Sequence, residues 1–419
     1  MRNGLWLVLL ILIAATSTTC ASGKLPEPMG CCITDPTHFW NDSEVNIRRR
    51  FDLYKSAGID TIRTGAEWRD LEGEKEGQWK NDALLRYFKL IKEYNFRVKF
   101  IVGVLQGPPG WFLDQHPDAQ ITDENGGHSR NTVSFWYPNL HRVVDEKTRG
   151  IFEFLKKAGI AENVVEVIPS FGPAGEPIYP VPWTLGPKFP NQTYWCYDEH
   201  AQADFRARMR GKYGTVDAAN RAWGTKFASW DDVKVLKPGE QPGTYWNDVL
   251  TWYRDTKRSF IEWQIDHLRK YAGRGAKVVL YIPGTAYTRQ EWDEAVRTAK
   301  GSDNIKAMSD SMFLIDIAAK KRCWLQYTGC ENGPEVERLC DYLDEHGYKG
   351  IEMWGENAGN SYAAGDPLHL ADVITQNKLW GLDYTHAHYA FEKDGVTPNP
   401  KVWPLLKQAY ERVREMHQR

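Results

Sequence analysis

The sequence predicts an α/β protein, a closed parallel (β/α)₈ barrel of the TIM type with an extended insertion after its fourth strand. Three observations carry this. Eight short apolar stretches alternate with helical stretches between Cys31 and Tyr389, the pattern of repeated strand–helix units with a parallel sheet. Polar and aromatic residues gather where those strands end, the face on which such barrels place their chemistry. The chain of 419 residues suits one large barrel carrying insertions.

Taken in order, a strand at Cys31–Thr34 ends at Asp35 and His38, and a helix spans Glu44–Ala57 before Gly58. The second strand, Thr61–Trp68, ends in Arg63, Glu67 and Trp68. The turn LEGEKEG then leads to an amphipathic helix, Asn81–Tyr94, with Asn81 or Asp82 as its cap. Val98–Leu105 is apolar on both parities apart from Lys99, so it reads as a strand buried on both faces. A long loop with no helical or strand period carries Trp111, His116, His128, Arg130, Trp136 and Tyr137, and its length marks it as functional. The helix Leu140–Ala158 precedes the fourth strand, which begins at Val164 and runs into the Pro/Gly turn that presents Glu176.

The insertion follows, aromatic and Pro-rich to Tyr197, then helical over Glu199–Tyr213, Val216–Trp223 and Tyr245–Tyr271. Lys277–Ile282 resumes the strands, with helices at Arg289–Thr298 and Ile305–Lys320. Cys323–Thr328, Tyr348–Glu356 and Leu379–Tyr389 are the sixth to eighth strands. Helices at Pro334–His346, Pro367–Asn377 and Pro400–His417 complete the alternation. Residues 22–419 thus read as one barrel.

Residues 1–21 have an early cation, Arg2, an apolar run Leu5–Ala15 and small polar residues after it, the layout of a cleaved secretory signal. The expected location is therefore secreted or periplasmic. A formal net charge of −2, with acids and bases interspersed, gives no basic face for nucleic acid or an anionic membrane. Of six cysteines beyond the signal, Cys323 and Cys330 are the nearest candidates for a disulfide, although connectivity is not a sequence property. There is no phosphate loop, nucleotide fingerprint or zinc-ligand spacing, so no cofactor or metal is implied. Eighteen tryptophans, 20 tyrosines and 16 phenylalanines exceed what a core requires and favour a saccharide ligand, because flat aromatic faces stack on sugar rings.

The chemistry rests on a pair of carboxylates. Gly172, Pro173, Ala174 and Gly175 leave Glu176 uncovered at the barrel rim. In YKGIEMWGENAGN a period of two puts Glu352, Trp354 and Glu356 on one face, with Glu356 farthest along the strand and Glu352 deeper in the barrel. Acids ending strands four and seven can flank one bond held in the mouth. One donates a proton to the leaving oxygen while the other attacks the anomeric carbon or activates water.

Four stretches resemble glycoside hydrolase family 42 of the retaining barrel clan: TIRTGAEWRDLEGEKEGQWKNDALL, PPGWFLDQHPD, SRNTVSFWYPNL and CYDEHAQADFRARMRGKYGTVDAANRAWGTKF. The resemblance implies Glu176 as acid/base, Glu356 as nucleophile and a β-galactosidase-like retaining hydrolase of β-linked glycosides. One departure stands out. The family usually has Asn directly before the acid/base, contacting the sugar 2-hydroxyl, where this chain has Gly175. GPAGEPIYP instead resembles the acid segment of plant-type β-amylases, and IEM their base segment, which implies an inverting glucan hydrolase with Glu352 as an alternative base. A carbohydrate-binding barrel without catalysis is the third reading. Asp35, Arg63, Trp68, Trp111, His128, Trp136, Tyr281, Tyr327, Trp354, Asn357 and His386 are candidate sugar contacts, each weighed against an ordinary core or salt-bridge role.

Overall fold

A computed structural model of the protein describes residues 25, 27–169, 171–172, 175–283, 292–294, 301–358 and 366–418. The proposed signal, Pro173 and Ala174 of the acid turn, and most of the expected helix Arg289–Thr298 lie outside these residues.

Eight parallel strands close into a barrel: β1 (Cys31–Thr34), β2 (Thr61–Glu67), β3 (Arg97–Gly103), β6 (Val164–Pro169), β7 (Lys277–Ile282), β8 (Trp324–Tyr327), β9 (Met353–Glu356) and β10 (Gly381–Tyr384), which pairs back onto β1. The remaining two strands, β4 (Gln120–Thr122) and β5 (His128–Val133), form an antiparallel hairpin in the long third loop. This hairpin and a helix at Gly110–Gln115 give that loop regular structure its sequence does not announce. The Asp123 carboxylate builds the hairpin turn by accepting from the backbone N–H groups of Asn125 (2.9 Å) and Gly127 (2.6 Å).

Local signals set the helices. The Asn81 side chain accepts from Leu84 N to start Asp82–Glu93, Asp198 caps Glu199–Tyr213, and Thr215 caps Val216–Trp223, which Gly224 ends in a left-handed conformation. The insertion's main helix, Thr244–Leu268, lies against β6 and against the helix Ser311–Lys321. Three expected elements are shorter than their apolar patterns. The seventh strand begins only at Met353, because Gly347 and Gly350 take positive φ and turn the chain before it. The eighth ends at Tyr384, ahead of a 3-10 turn at Ala387–Ala390. The helix expected over Ile305–Lys320 breaks at Met308, whose φ of 54° separates Asp303–Ala307 from Ser311–Lys321. The Cys323–Cys330 pairing is not present either: all six cysteines among the described residues are free thiols, and β8 carries these two toward opposite ends of the barrel.

The barrel interior is divided. Ile168, Val279 and Tyr281, with Ile101 and Trp324 against them, form an apolar cluster separate from the main core. Facing it is a buried ionic network. Lys99 donates to Gln326 Oε1 (2.8 Å) and Asp383 Oδ2 (3.2 Å), stands 3.6 Å from Glu166 Oε2, and lies over the Trp354 ring. Thr34 donates to the other Asp383 oxygen at 2.9 Å. Burial works against the Asp383 charge, but Arg63 and Lys99 hold its carboxyl below the usual carboxylate range. Branched apolar side chains usually fill this space, so the network is a commitment to charge. Removing one member of a buried ion pair strands its partner at a cost of about 3–5 kcal/mol. Lys99→Met should therefore lower the free energy of urea unfolding by that order; a change within about 0.5 kcal/mol, the range of ordinary surface substitutions, would mean the network contributes no net stability.

Candidate active site

Glu176 follows β6 and Glu356 closes β9, so the two acids sit at the same rim, three strands apart around the barrel. Strand β8 serves both. Gln326 Nε2 donates to Glu356 Oε2, and Thr328, two residues on and of the same parity, donates from Oγ1 to Glu176 Oε1 at 3.0 Å.

The surroundings of the two carboxyls differ in kind. Glu356 is 6% exposed and accepts a bidentate pair from Arg63, Nη1 to Oε2 at 2.5 Å and Nη2 to Oε1 at 2.7 Å. Arg63 also donates to Tyr281 Oη (2.6 Å) and to Thr385 Oγ1. Glu356 Oε1 keeps a lone pair beyond its single bond from Arg63. Glu176 is half-buried and has one neutral donor. Burial pushes its carboxyl up to about 7, the Glu356 charge adds to the rise, and Thr328 and Arg63 oppose it. A pair of carboxyls whose surroundings separate them in this way has the division of labour that acid/base chemistry needs.

Other predicted residues fall into two groups. Tyr281, Asn357 and His386 belong to the rim. Asn357 clamps the Thr385 backbone, accepting from its N–H at 2.7 Å and donating to its carbonyl, which fixes the hydroxyl that Arg63 reaches. His386 stacks on His388, and burial, with Arg63 and His388 adding to it, lowers it to about 4, so it is a neutral imidazole at ordinary pH.

The second group lies elsewhere, each for a structural reason. Asp35 points away from the barrel axis, its carboxylate taken by Tyr54 Oη (2.5 Å) and Tyr87 Oη (2.6 Å). Trp68 is fully buried, with its N–H on Glu72. Trp111 packs edge-on against Trp68 and donates to the Glu72 carbonyl. His128 is exposed on the hairpin and bonded to Thr122. Trp136 stacks on Trp252, Tyr179 and Tyr253 inside the insertion's core. Trp354 is buried within the barrel under Lys99. Tyr327 faces outward, one residue off the parity that places Gln326 and Thr328 inside. Glu352 precedes β9, with its carbonyl bonded to Leu325 N near the start of β8; four residues of strand put it about 13 Å from Glu356, toward the far end of the barrel. Gln326, Thr328, Thr385 and Asp383 are site residues that the sequence reading passed over; the period of two in CWLQYT was the available signal for the first two. Among the described residues no group of three His, Cys, Asp or Glu side chains could hold a metal ion.

Residues 31–279 match the family model described as glycosyl hydrolase family 14. The chain belongs to that family. Among characterised relatives it is similar to the thermophilic β-amylase of Thermoanaerobacterium thermosulfurigenes, 30% identical over 156 residues, 34% of this chain and 27% of that protein. It is also similar to the β-amylase of Bacillus cereus, 24% identical over 82% of this chain and 70% of that protein. The match thus spans about a quarter of the first relative's length and more than two thirds of the second's. Among solved structures, the catalytic domain of the Paenibacillus polymyxa β-amylase superposes with a TM-score of 0.73 at 20% identity, covering 91% of this chain and 97% of that one. A β-galactosidase from Marinomonas ef1 gives 0.61 at 16% identity, covering 93% and 58%. The β-amylase-like segment read around Glu176 fits this family, and β-galactosidase structures, one of them described as family 42, share the barrel fold.

The Glu176 environment gives a direct expectation. Followed by carbon NMR, its carboxyl should titrate near 7, and in Thr328→Val, where a bond favouring the charged form is gone, the midpoint should move upward. A midpoint near 4 in the wild type would contradict the burial that raises it.

Proposed function

We propose that this protein is an exported, exo-acting hydrolase of starch-type α-glucans that inverts the anomeric centre, with Glu176 as proton donor and Glu356 as general base. The observation that carries the reading is the family 14 match over 31–279, which includes Glu176, together with a carboxyl there raised to about 7. Glu356 suits the base role better than Glu352, which lies below the mouth before β9 begins.

In the proposed step, Glu356 Oε1 takes a proton from water through its remaining lone pair. The water oxygen bonds to the anomeric carbon as the glycosidic C–O bond breaks, and the departing oxygen takes the Glu176 proton. Arg63, anchored by Tyr281 and Thr385, keeps the Glu356 carboxylate from rotating. The layout of residues 1–21 supports export.

A retaining β-galactosidase-like reading has its own observation, a β-galactosidase of Thermus thermophilus 26% identical over 58% of this chain and 36% of that protein. Proton NMR of the first-formed sugar separates the two. Inversion on an α-glucan releases the β anomer first; release of galactose from β-galactosides with no glucan cleavage would overturn the proposal. Glu176→Gln and Glu356→Gln should each lower kcat by about 10²–10⁴-fold with the fold intact, and near-normal turnover in either would remove its role.

The pH dependence follows from the sign of the Glu176 shift. The donor must be protonated, so kcat/KM should hold below about 7 and fall as pH rises through it. A rate that keeps rising through pH 7 to 9 would rule out Glu176 as the acid.

A further inference from the structure

The segment carrying Glu176 is held from behind by a charge that the reaction does not use. Lys257, in the middle of Thr244–Leu268, is fully buried, and its ammonium donates to the Pro177 carbonyl at 2.5 Å and to the Met308 carbonyl. Pro177 is the residue directly after Glu176. Met308 lies in the left-handed turn that breaks the helical run between β7 and Ser311–Lys321.

Apolar and aromatic contacts surround this link without replacing it. Tyr179 N donates to the Ala307 carbonyl at 3.0 Å, its ring stacks on Tyr253 at 3.9 Å, and its hydroxyl donates to the Tyr253 carbonyl at 2.9 Å. Those bonds locate the chain two residues beyond the next. At Pro177 itself there is no N–H to donate, so its carbonyl is its one backbone hydrogen-bonding group, and the Lys257 bond adds to those that the Glu176 carbonyl accepts from Gly172 N and Ile178 N, each at 2.9 Å. Asp310, which caps Ser311–Lys321, faces the ammonium electrostatically. Burial brings Lys257 down to about 7, and Asp310 opposes that fall.

We infer that Lys257 is a positioning residue for the proton donor, its ammonium cross-linking the Pro177 and Met308 carbonyls so that the Glu176 carboxyl is aimed at the leaving oxygen. The inference rests on the assignment of Glu176 as the acid. Its consequence is specific: loosening the link degrades proton donation and leaves attack by water, organised by Glu356 and Arg63 on strands β9 and β2, in place.

The test compares two substrates that differ in their need for a proton donor. Maltotetraose leaves as a sugar alkoxide that must be protonated, whereas the fluoride of α-maltosyl fluoride departs with little help. Lys257→Met is expected to lower kcat for maltotetraose by about 10²-fold and for the fluoride by less than about threefold, with KM for both near the wild-type value. Lys257→Gln keeps one donor for the two carbonyls; it should fall between, and it carries the comparison where the Met variant does not fold. Equal losses on both substrates would mean a merely structural role, and no loss on either would mean no role; each overturns the inference. Glu176→Gln in the same pair of assays tests the underlying assignment. If it is selective for maltotetraose while the Lys257 variants are not, the positioning claim alone fails. If it is not selective, the acid assignment fails.

Discussion

The bidentate pair between Arg63 and Glu356 is the constraint on which the interior of this barrel depends. A guanidinium stays charged under all ordinary conditions, and one buried to 3% exposure needs anions and acceptors on every available N–H. Glu356, Tyr281 and Thr385 supply them to the two terminal nitrogens, with Asp383 3.5 Å away, while the buried Nε has no partner. Asp383 in turn requires Lys99, and Lys99 draws in Glu166 and Gln326. Space that branched apolar side chains usually fill is thereby given to one connected set of charges. Its upper member is the carboxylate that faces the mouth.

That arrangement makes the two rim glutamates different from one another. Glu356 is surrounded by donors, two from Arg63 and one from Gln326. Glu176 sits in protein with one hydroxyl on it, and the Glu356 charge opposes its ionisation. Because Gln326 and Thr328 are alternate residues of one strand end, a single backbone path sets both environments. The acid and the base are therefore not independent parts: a shift of β8 moves both together.

The strands and helices were legible in the sequence because their signals are local. Caps such as Asn81 and Asp198, the break at Gly224 and the apolar alternation all act within one or two turns. The rim position of Glu176 and Glu356 followed from barrel geometry once the strands were counted. What stayed hidden depends on distant partners. Asp35 looked like a mouth residue, but the tyrosines that take its carboxylate are 19 and 52 residues away. Trp68 and Trp136 have the composition of sugar platforms, and only packing against Phe112 and Trp252 shows them to be core, while Trp111 is partly buried against Trp68. Lys99 was visible as the one polar residue in an apolar strand, yet the anions that explain it, Asp383 and Glu166, come from two other strands. Tyr327 was mistaken for its inward neighbours because a period of two fixes alternation, while the side of the strand that faces inward is set by pairing with β7 and β9.

Gly175 shows how a one-residue departure can mark a different solution to the same problem. Its φ is +91°, and a Cβ built there would lie 2.8 Å from the Ile168 side chain and close to Ile101 and Tyr281, the apolar half of the barrel interior. An asparagine at this position would combine a left-handed backbone with a collision against packed side chains. The amide that family 42 places beside its acid/base thus has no room in this barrel. With the backbone before Glu176 pressed onto Ile168 and the backbone after it held by Lys257, orientation of the acid is set by the main chain on both sides, where family 42 has a polar neighbour at its shoulder.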